Sequence, residues 1–175
     1  MENPASSSLF DWRARSALLF VIALSFLTYV HNFQNPQAFF WDENYHIASA
    51  QKYLTGTFFM EPHPPLGKLL IALGEKMLDR NAEDNQFITT DYAKDPPPGF
   101  DFTGYRLFPV LLAWLTAPLL FMSILVLSRH WLWSVLLTFP YVFDTALIVH
   151  SRGAMLDGIM LFFFFGDDAR VLPGS

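Results

Sequence analysis

The 175-residue chain contains no cysteine and few charged residues. Without cysteine, disulfide bonds and thiolate metal sites are excluded. Only 15% of the residues are charged, the formal net charge is -5 at pH 7, and no run of Lys or Arg occurs. We therefore expect no nucleic-acid partner. By contrast, 53% of the residues are hydrophobic, and they form long blocks rather than an alternating pattern. Blocks approaching ~20 residues indicate membrane spans.

The blocks divide the chain into spans and connecting segments. Arg13 and Arg15 precede the first block and no small-residue cleavage site follows it, so we expect a retained span with its N-terminus in the cytoplasm. The expected segments are a cytoplasmic N-terminus (1–15), span 1 (16–33), an outer loop (34–105), span 2 (106–128), span 3 (131–149), a second outer loop (150–158), the start of span 4 (159–165) and an atypical polar tail (166–175). Because a span needs ~20 apolar residues, we interpret the chain as the N-terminal part of a longer protein.

The large outer loop contains two candidate amphipathic helices. In the first, apolar residues recur at helical spacing at Ile47, Ala50 and Leu54, and Gly56 suits its C-terminus. The second is expected to begin at Pro64-Pro65. Its apolar face comprises Leu66, Leu69, Leu70, Leu73 and Met77, and its polar side comprises Lys68, Glu75, Lys76 and Asp79. We expect both helices to lie along the membrane surface, followed by an irregular acidic loop over residues 81–104.

Two adjacent carboxylates open the first of these helices and are the candidate catalytic residues. Asp42 and Glu43 lie in a polar cluster between spans, where such residues are costly unless they face water or a substrate. A carboxylate at the water–lipid boundary is suited to take a proton from an acceptor hydroxyl. The structural alternative is that Asp42 caps the helix while Glu43 favours its positive N-terminal end. The sequence leaves both interpretations open.

Further polar residues are candidate substrate-binding residues, namely His46, Glu61, His63, Lys68, Arg106, Arg152 and Asp157. Each has a plainer alternative. Lys68 lies where a helix N-terminus attracts an anion, or it extends from an interfacial helix towards water. Arg106 holds a lipid phosphate or anchors the second span at the interface.

The remaining candidates have similar alternatives. His63 binds substrate or is a turn residue fixed by the following prolines. Arg152 and Asp157 bind substrate or pair with each other to fix a loop, and Asp144 is an unusual ionisable residue inside the third span. No spacing among the histidines and Asp42 matches a helix-borne metal motif, so we expect no metal.

Together these motifs resemble the N-terminal part of the protein O-mannosyltransferases, a phospholipid-carrier-dependent glycosyltransferase family. The similar segments, in order, are Trp41-Asp42-Glu43-Asn44-Tyr45-His46, Lys52–Phe59, His63-Pro64-Pro65-Leu66-Gly67-Lys68, Tyr105–Pro109 and Ser151–Asp157. Glu61-Pro62 stands where eukaryotic members usually have Asp-Val, which keeps the carboxylate on a longer side chain. This variant and the short loops resemble a bacterial member.

The resemblance implies a fold, an activity and partners. The fold is all-α, a multi-span helical membrane protein of GT-C type with amphipathic interfacial helices in a large first outer loop. The activity is transfer of mannose, with inversion, from a polyprenyl- or dolichyl-phosphate carrier to Ser or Thr hydroxyls of proteins. It takes place at the outer face of the plasma (inner) membrane, or in the ER membrane of a eukaryote. The implied partners are the lipid-linked donor, the protein acceptor and membrane lipids, with no cofactor.

The resemblance also implies roles for individual residues. Asp42 would be the base, Glu43 would shape the acceptor site, and Arg106 and Lys68 would stabilise the departing lipid phosphate. Two rival interpretations remain, a transferase of the same fold that acts on a glycolipid and an inactive truncated membrane fragment. We expect the 175-residue chain alone to be inactive, because three full spans do not enclose a lipid-linked donor.

Overall fold

The computed structural model describes residues 9–168, which contain helices and irregular loops but no β-strand. The prediction of an all-α fold is therefore confirmed. The helices are α1 (Trp12–Ser25, continued by a π-helical turn Phe26–Val30), α2 (Glu43–Thr55), α3 (Leu66–Leu78), α4 (Thr103–Ser128), α5 (Trp131–Phe143), α6 (Thr145–Arg152) and α7 (Asp157–Asp168).

Within residues 9–168, two helical segments are able to cross a membrane by length and composition. They are α1 with its π-helical turn, Trp12–Val30, and α4, Thr103–Ser128. A third candidate is the pair α5 and α6. The first helix begins at Trp12, inside the segment 1–15 that was expected to be the cytoplasmic N-terminus. Which side of the membrane each end faces stays a prediction.

The expected third span, 131–149, is not one straight helix. Helix α5 ends at Phe143, α6 begins at Thr145, and the two are bent by 60°. Asp144 between them is extended, and its Oδ1 accepts a hydrogen bond of 2.9 Å from the N–H of Leu147. The unusual carboxylate of the span therefore caps α6, which explains its presence without a functional role.

The last part of the chain also differs from expectation. Helix α6 extends to Arg152 and α7 begins at Asp157, so the connection between them is shorter than the expected loop 150–158. Helix α7 continues past the expected 159–165 to Asp168. The rest of the expected polar tail, 169–175, lies outside the described residues.

The membrane-spanning helices pack through small residues and through hydroxyl groups bonded to carbonyls. Ala14 and Ala17 of α1, with Ala113 and Ala117 of α4, are buried in the core between α1, α4 and α5. Small residues allow helix backbones to approach closely in lipid. Tyr29 donates its hydroxyl to the carbonyl of Tyr141 at 2.6 Å, so the phenol has a partner inside the bundle.

A second core lies where α2 and α3 pack on the first turns of α4 and on loop 81–102. Helix α2 ends as expected at Gly56, whose φ of 68° is the left-handed conformation that glycine adopts without strain. Helices α3 and α4 cross at a glycine pair: a Cβ atom added to Gly74 would lie 2.3 Å from the carbonyl oxygen of Gly104. This close approach fixes α3 against the start of α4.

Helix α3 differs from expectation at two of its four polar positions, since Lys76 and Asp79 are exposed as expected but Lys68 and Glu75 are not. Lys68 and Glu75, expected on the polar surface, are buried, whereas the apolar stripe of Leu66, Leu69, Leu73 and Met77 is exposed. An exposed apolar stripe is costly in water but suits contact with lipid. Lys68 faces α2, where it donates to Ser49, and Glu75 lies against Gly104 at the start of α4.

Candidate active site

A pocket of about 290 Å³ opens beside the first two turns of α2. It is lined by Asp42, Tyr45, His46, Ser49, Phe59, Met60, Pro62, His63, Lys68 and Asp91. Four of the candidate residues from the sequence meet here, and a fifth, Glu61, is bonded to Lys68. One concave surface thus combines residues from the N-terminus of α2, from the segment before α3 and from the irregular loop that contains Asp91.

Asp42 is an exposed carboxylate of this pocket. It occupies the N-cap position of α2, but its side chain accepts no hydrogen bond from the first turn. The backbone explains this, because φ of -79° and ψ of 3° differ from the extended conformation of a capping aspartate. The capping alternative is therefore not the arrangement found here, and the carboxylate is accessible to a substrate.

Lys68 and Glu61 form a partly enclosed ion pair at the wall of the pocket. Lys68 Nζ lies 2.6 Å from Glu61 Oε1 and also donates to Ser49 Oγ at 3.2 Å. The side chain of Lys68 is 2% exposed and that of Glu61 13%. One carboxylate partner satisfies the desolvated ammonium and fixes its position. Because an ammonium group has three donors, one remains to face the pocket.

His46 faces the same pocket in a defined tautomer. Its Nδ1 lies 2.9 Å from the carbonyl of Ala154, which only accepts, so Nδ1 carries the proton and Nε2 is free to accept. Burial is the main cause that lowers the pKa of His46 below its ordinary value, and Lys68 contributes in the same direction. A neutral imidazole acceptor therefore lies near His63, with 6.5 Å between the ring centroids.

Glu43, the neighbour of Asp42, is fully buried in a bidentate pair with Arg106. Arg106 Nε and Nη2 donate to the two carboxylate oxygens at 2.7 and 2.8 Å. Glu43 also accepts from the N–H of Ala154 at 2.8 Å and from the N–H of Phe40 at 3.1 Å. Charged, bidentate geometry with further donors is the arrangement in which a buried ion pair is stable.

Arg106 has no donor left for a lipid phosphate. Besides its two bonds to Glu43, it donates to the carbonyls of Gln34, Pro36 and Ala38 at 3.1, 2.7 and 2.9 Å. These bonds occupy all five N–H groups of a guanidinium. Arg106 was expected to bind the donor phosphate and Glu43 to shape the acceptor site. The structure does not match these roles, because the two side chains are bonded to each other.

Arg152 and Asp157 do not pair with each other among the described residues. Arg152 Nη2 instead donates to the carbonyls of His31 and Asn32 at 3.0 and 2.6 Å, while Asp157 begins α7 with an exposed side chain. Nε and Nη1 of Arg152 make no hydrogen bond within residues 9–168. The guanidinium borders a smaller, mostly apolar pocket of about 190 Å³ that also includes Phe40 and Val149.

The sequence analysis missed several pocket residues. Ser49 follows Asp42 and His46 on one helical face, at spacings of seven and three, so the helical period would have identified it. Asp91 is paired with Lys52 and enters from the irregular loop. No local pattern indicates that placement. Within residues 9–168 no three His, Asp or Glu side chains are arranged to hold a metal ion.

The fold and the site define a helical membrane protein with a carboxylate-bearing pocket at one end of its spans. The chain belongs to the dolichyl-phosphate-mannose-protein mannosyltransferase family, whose model matches residues 19–165. The family predicted from the motifs is therefore confirmed.

Two relatives and one solved structure illustrate the similarity. Protein O-mannosyl-transferase 2 of Danio rerio is 30% identical over 151 residues, which cover 85% of this chain and 19% of that protein. Dolichyl-phosphate-mannose–protein mannosyltransferase 4 of Schizosaccharomyces pombe is 30% identical over 146 residues, 83% of this chain and 18% of that protein.

The structure of the Saccharomyces cerevisiae Pmt1-Pmt2 complex bound to the sugar donor matches with a TM-score of 0.77 and 20% identity, over 89% of this chain and 21% of that one. At this identity the match shows the fold, which confirms the GT-C prediction. The chain spans about a fifth of the length of the relatives that it matches.

Proposed function

We propose that this chain is the N-terminal, acceptor-activating part of a transferase that moves mannose from a polyprenyl- or dolichyl-phosphate carrier to Ser or Thr hydroxyls of proteins. The observation that carries the proposal is Asp42, an exposed carboxylate with no partner from the first turn of α2, in a pocket that also contains Lys68 and two histidines. Membership of the mannosyltransferase family supports the choice of sugar and carrier.

In the proposed reaction Asp42 accepts the proton of the acceptor hydroxyl while the hydroxyl oxygen attacks the anomeric carbon of mannose. The bond from that carbon to the phosphate oxygen breaks, and the carrier phosphate leaves with the bonding electrons. One displacement inverts the anomeric configuration. Neutral His46, with Nε2 free to accept, is placed to orient a hydroxyl of the acceptor or the sugar.

The departing phosphate gains negative charge, and cations close to it lower the barrier. Because Arg106 is saturated, we assign this role to Arg152, whose Nε and Nη1 make no hydrogen bond within residues 9–168 and which borders an apolar pocket. Lys68, with one donor facing the larger pocket, is the second candidate. Glu43 and Arg106 are positioning residues in this scheme, since they fix the start of α2 directly after Asp42. No cofactor or metal enters the reaction.

The donor and acceptor meet at the bilayer surface, because a lipid-linked sugar does not leave the membrane. We place the pocket on the outer side, in the plasma (inner) membrane of a bacterium or on the lumenal side of the ER membrane in a eukaryote. Arg13 and Arg15, at the N-terminal end of α1, support this orientation, because positive residues favour the cytoplasmic side.

A chimera tests the proposal. Residues 1–165 replace the matching segment of the Schizosaccharomyces pombe relative, and membranes are assayed for transfer of labelled mannose from dolichyl-phosphate mannose to a Ser/Thr peptide. We expect transfer to the peptide and none to glycolipids. A chimera that reaches the membrane but transfers an aminosugar to a glycolipid would favour the rival transferase. One that transfers nothing while the parent protein is active would favour the inactive fragment.

A further inference from the structure

A second cavity lies at the opposite end of the spans from Asp42. It has a volume of about 530 Å³ and lies between the first turn of α1 and the turn that joins α4 to α5. Its polar lining includes Asp11, Arg13, Arg129 and His130. Arg129 is 23 residues beyond Arg106 along α4, roughly 35 Å at ~1.5 Å per residue. That distance exceeds the ~30 Å of a hydrocarbon core, so the cavity lies at the other membrane interface.

The lining of the cavity includes two guanidinium groups and one carboxylate, an excess of one positive charge. Within residues 9–168 neither Arg13 nor Arg129 forms an ion pair, and neither guanidinium donates a hydrogen bond. The carboxylate of Asp11 is engaged in capping α1, where it accepts from the N–H of Ala14 at 2.8 Å. Two guanidinium groups with free donors, beside a carboxylate that is already bonded, favour an anion with several acceptor oxygens.

The turn that places Arg129 is strained. Arg129 has φ of 55° and ψ of 21°, the left-handed conformation that glycine usually occupies after a helix. A side chain other than glycine or asparagine is disfavoured there. The free carbonyl groups at the C-terminal end of α4 attract a positive charge, which explains why an arginine follows the helix. They do not explain why the side chain of Arg129 lines a cavity.

Tryptophans mark this end of the bundle as the headgroup level of a bilayer. Trp12 is 71% exposed with the guanidinium of Arg13 5.6 Å from its ring centroid, and Trp131 stacks on His130 in the cavity wall. Tryptophan is enriched at membrane–water interfaces. A phosphate-bearing group at this depth comes from a lipid, and basic pockets between spans on the cytoplasmic side are known to bind anionic headgroups.

We propose that this cavity, lined by Arg13, Arg129 and His130, binds the phosphate of an anionic phospholipid headgroup. The bound lipid bridges α1 to the α4–α5 turn. It is distinct from the sugar donor, because it binds at the far side of the membrane from Asp42. The site does not depend on the proposed transfer reaction.

The test uses the 175-residue chain in a neutral detergent, titrated with phosphatidylglycerol and followed by native mass spectrometry. Each of the variants Arg13→Gln and Arg129→Gly is expected to weaken lipid binding about fivefold, the usual effect of one basic residue near an anionic membrane surface. Arg129→Gly also relieves the strain of the left-handed backbone, so thermal stability should be unchanged or higher. Weaker lipid binding without a loss of thermal stability would show that Arg129 binds the lipid rather than supports the fold.

The matched control is Arg15→Gln, which removes the same charge at the same end of α1. Arg15 is exposed but does not line the cavity, and its Nε donates to the carbonyl of Phe10 at 3.0 Å. We expect phosphatidylglycerol binding to survive this change, and phosphatidylcholine to bind more weakly than phosphatidylglycerol. Equal losses in all three variants would mean diffuse surface charge and would overturn the proposal. So would displacement of the lipid by millimolar inorganic phosphate, which would assign the site to free phosphate.

Discussion

Asp42 and Glu43 are neighbours in the chain and differ in almost every physical respect. Asp42 is exposed on a pocket and has no partner from the first turn of its helix, whereas Glu43 is fully buried and accepts four hydrogen bonds. The same functional group thus serves two purposes one residue apart. In the proposed mechanism Asp42 accepts a proton, and its carboxylate is free to do so, whereas the carboxylate of Glu43 is fixed by the protein's own donors.

Their positions relative to α2 produce this difference. Asp42 lies just outside the helix, and its carbonyl accepts the first helical hydrogen bonds. Glu43 is the first helical residue, and its side chain points inward to Arg106 at the start of α4. Because Arg106 also binds the carbonyls of Gln34, Pro36 and Ala38, the pair ties the segment before α2 to the second span.

The largest expected effect is on activity, from Asp42→Asn in the chimera described above. Asparagine keeps the size of the side chain but is not a base, so mannose transfer should fall roughly 10²–10⁴-fold. Thermal stability in detergent should be unchanged, since the carboxylate makes no capping bond in the folded chain.

A matched control is Asp91→Asn in the same pocket. The carboxylate of Asp91 is held by Lys52, which lowers its pKa, so it is not poised to take a proton and most activity should remain. Near-normal transfer by the Asp42→Asn chimera would remove the catalytic assignment.

The second prediction concerns the buried partner. Glu43→Gln leaves the guanidinium of Arg106 desolvated without its counter-charge, and removing one member of a buried ion pair costs about 3–5 kcal/mol of unfolding free energy. Thermal unfolding of the detergent-solubilised chain measures the loss.

Arg80→Gln serves as the control for charge removal. Arg80 lies 3.9 Å from Asp101 in an exposed pair, so its loss should cost less than ~1 kcal/mol. Equal effects of the two substitutions would mean that the buried pair has no special structural role.

How far the sequence predicts this structure depends on whether the signal is local. The helical period, Pro65 and Gly56 predict α2 and α3, because these effects act within a few residues. The same period predicted the wrong surroundings for Lys68 and Glu75, since their partners Glu61, Ser49 and Asn81 come from other parts of the chain. Arg106 was assigned to a phosphate because no local pattern reveals that three carbonyls and a carboxylate lie around it.

The smallest expected effect is the pH dependence contributed by His46. Burial lowers the folded-state pKa of His46 below the ordinary 6.5, so the unfolded chain binds the proton more readily. The contribution of His46 to stability is therefore present above pH 6.5 and is lost as the pH falls through the folded pKa. Unfolding temperatures measured from neutral to mildly acidic pH should decline less steeply in His46→Asn than in the unmodified chain. Identical slopes would contradict this assignment.

The hydrogen bonds around Ala154 have a consequence for the order in which the protein is made. Its N–H is bonded to Glu43 and its carbonyl to His46, across 111 and 108 residues of chain. Since a chain emerges from the ribosome from its N-terminus, Glu43 and His46 gain these partners only after the connection that follows α6 has been synthesised. The first loop is synthesised early and gains these two hydrogen bonds late. Until Ala154 has been synthesised, Glu43 and His46 each lack one hydrogen-bond partner. We therefore expect the nascent protein to be most prone to misfolding in the interval before Ala154 is added.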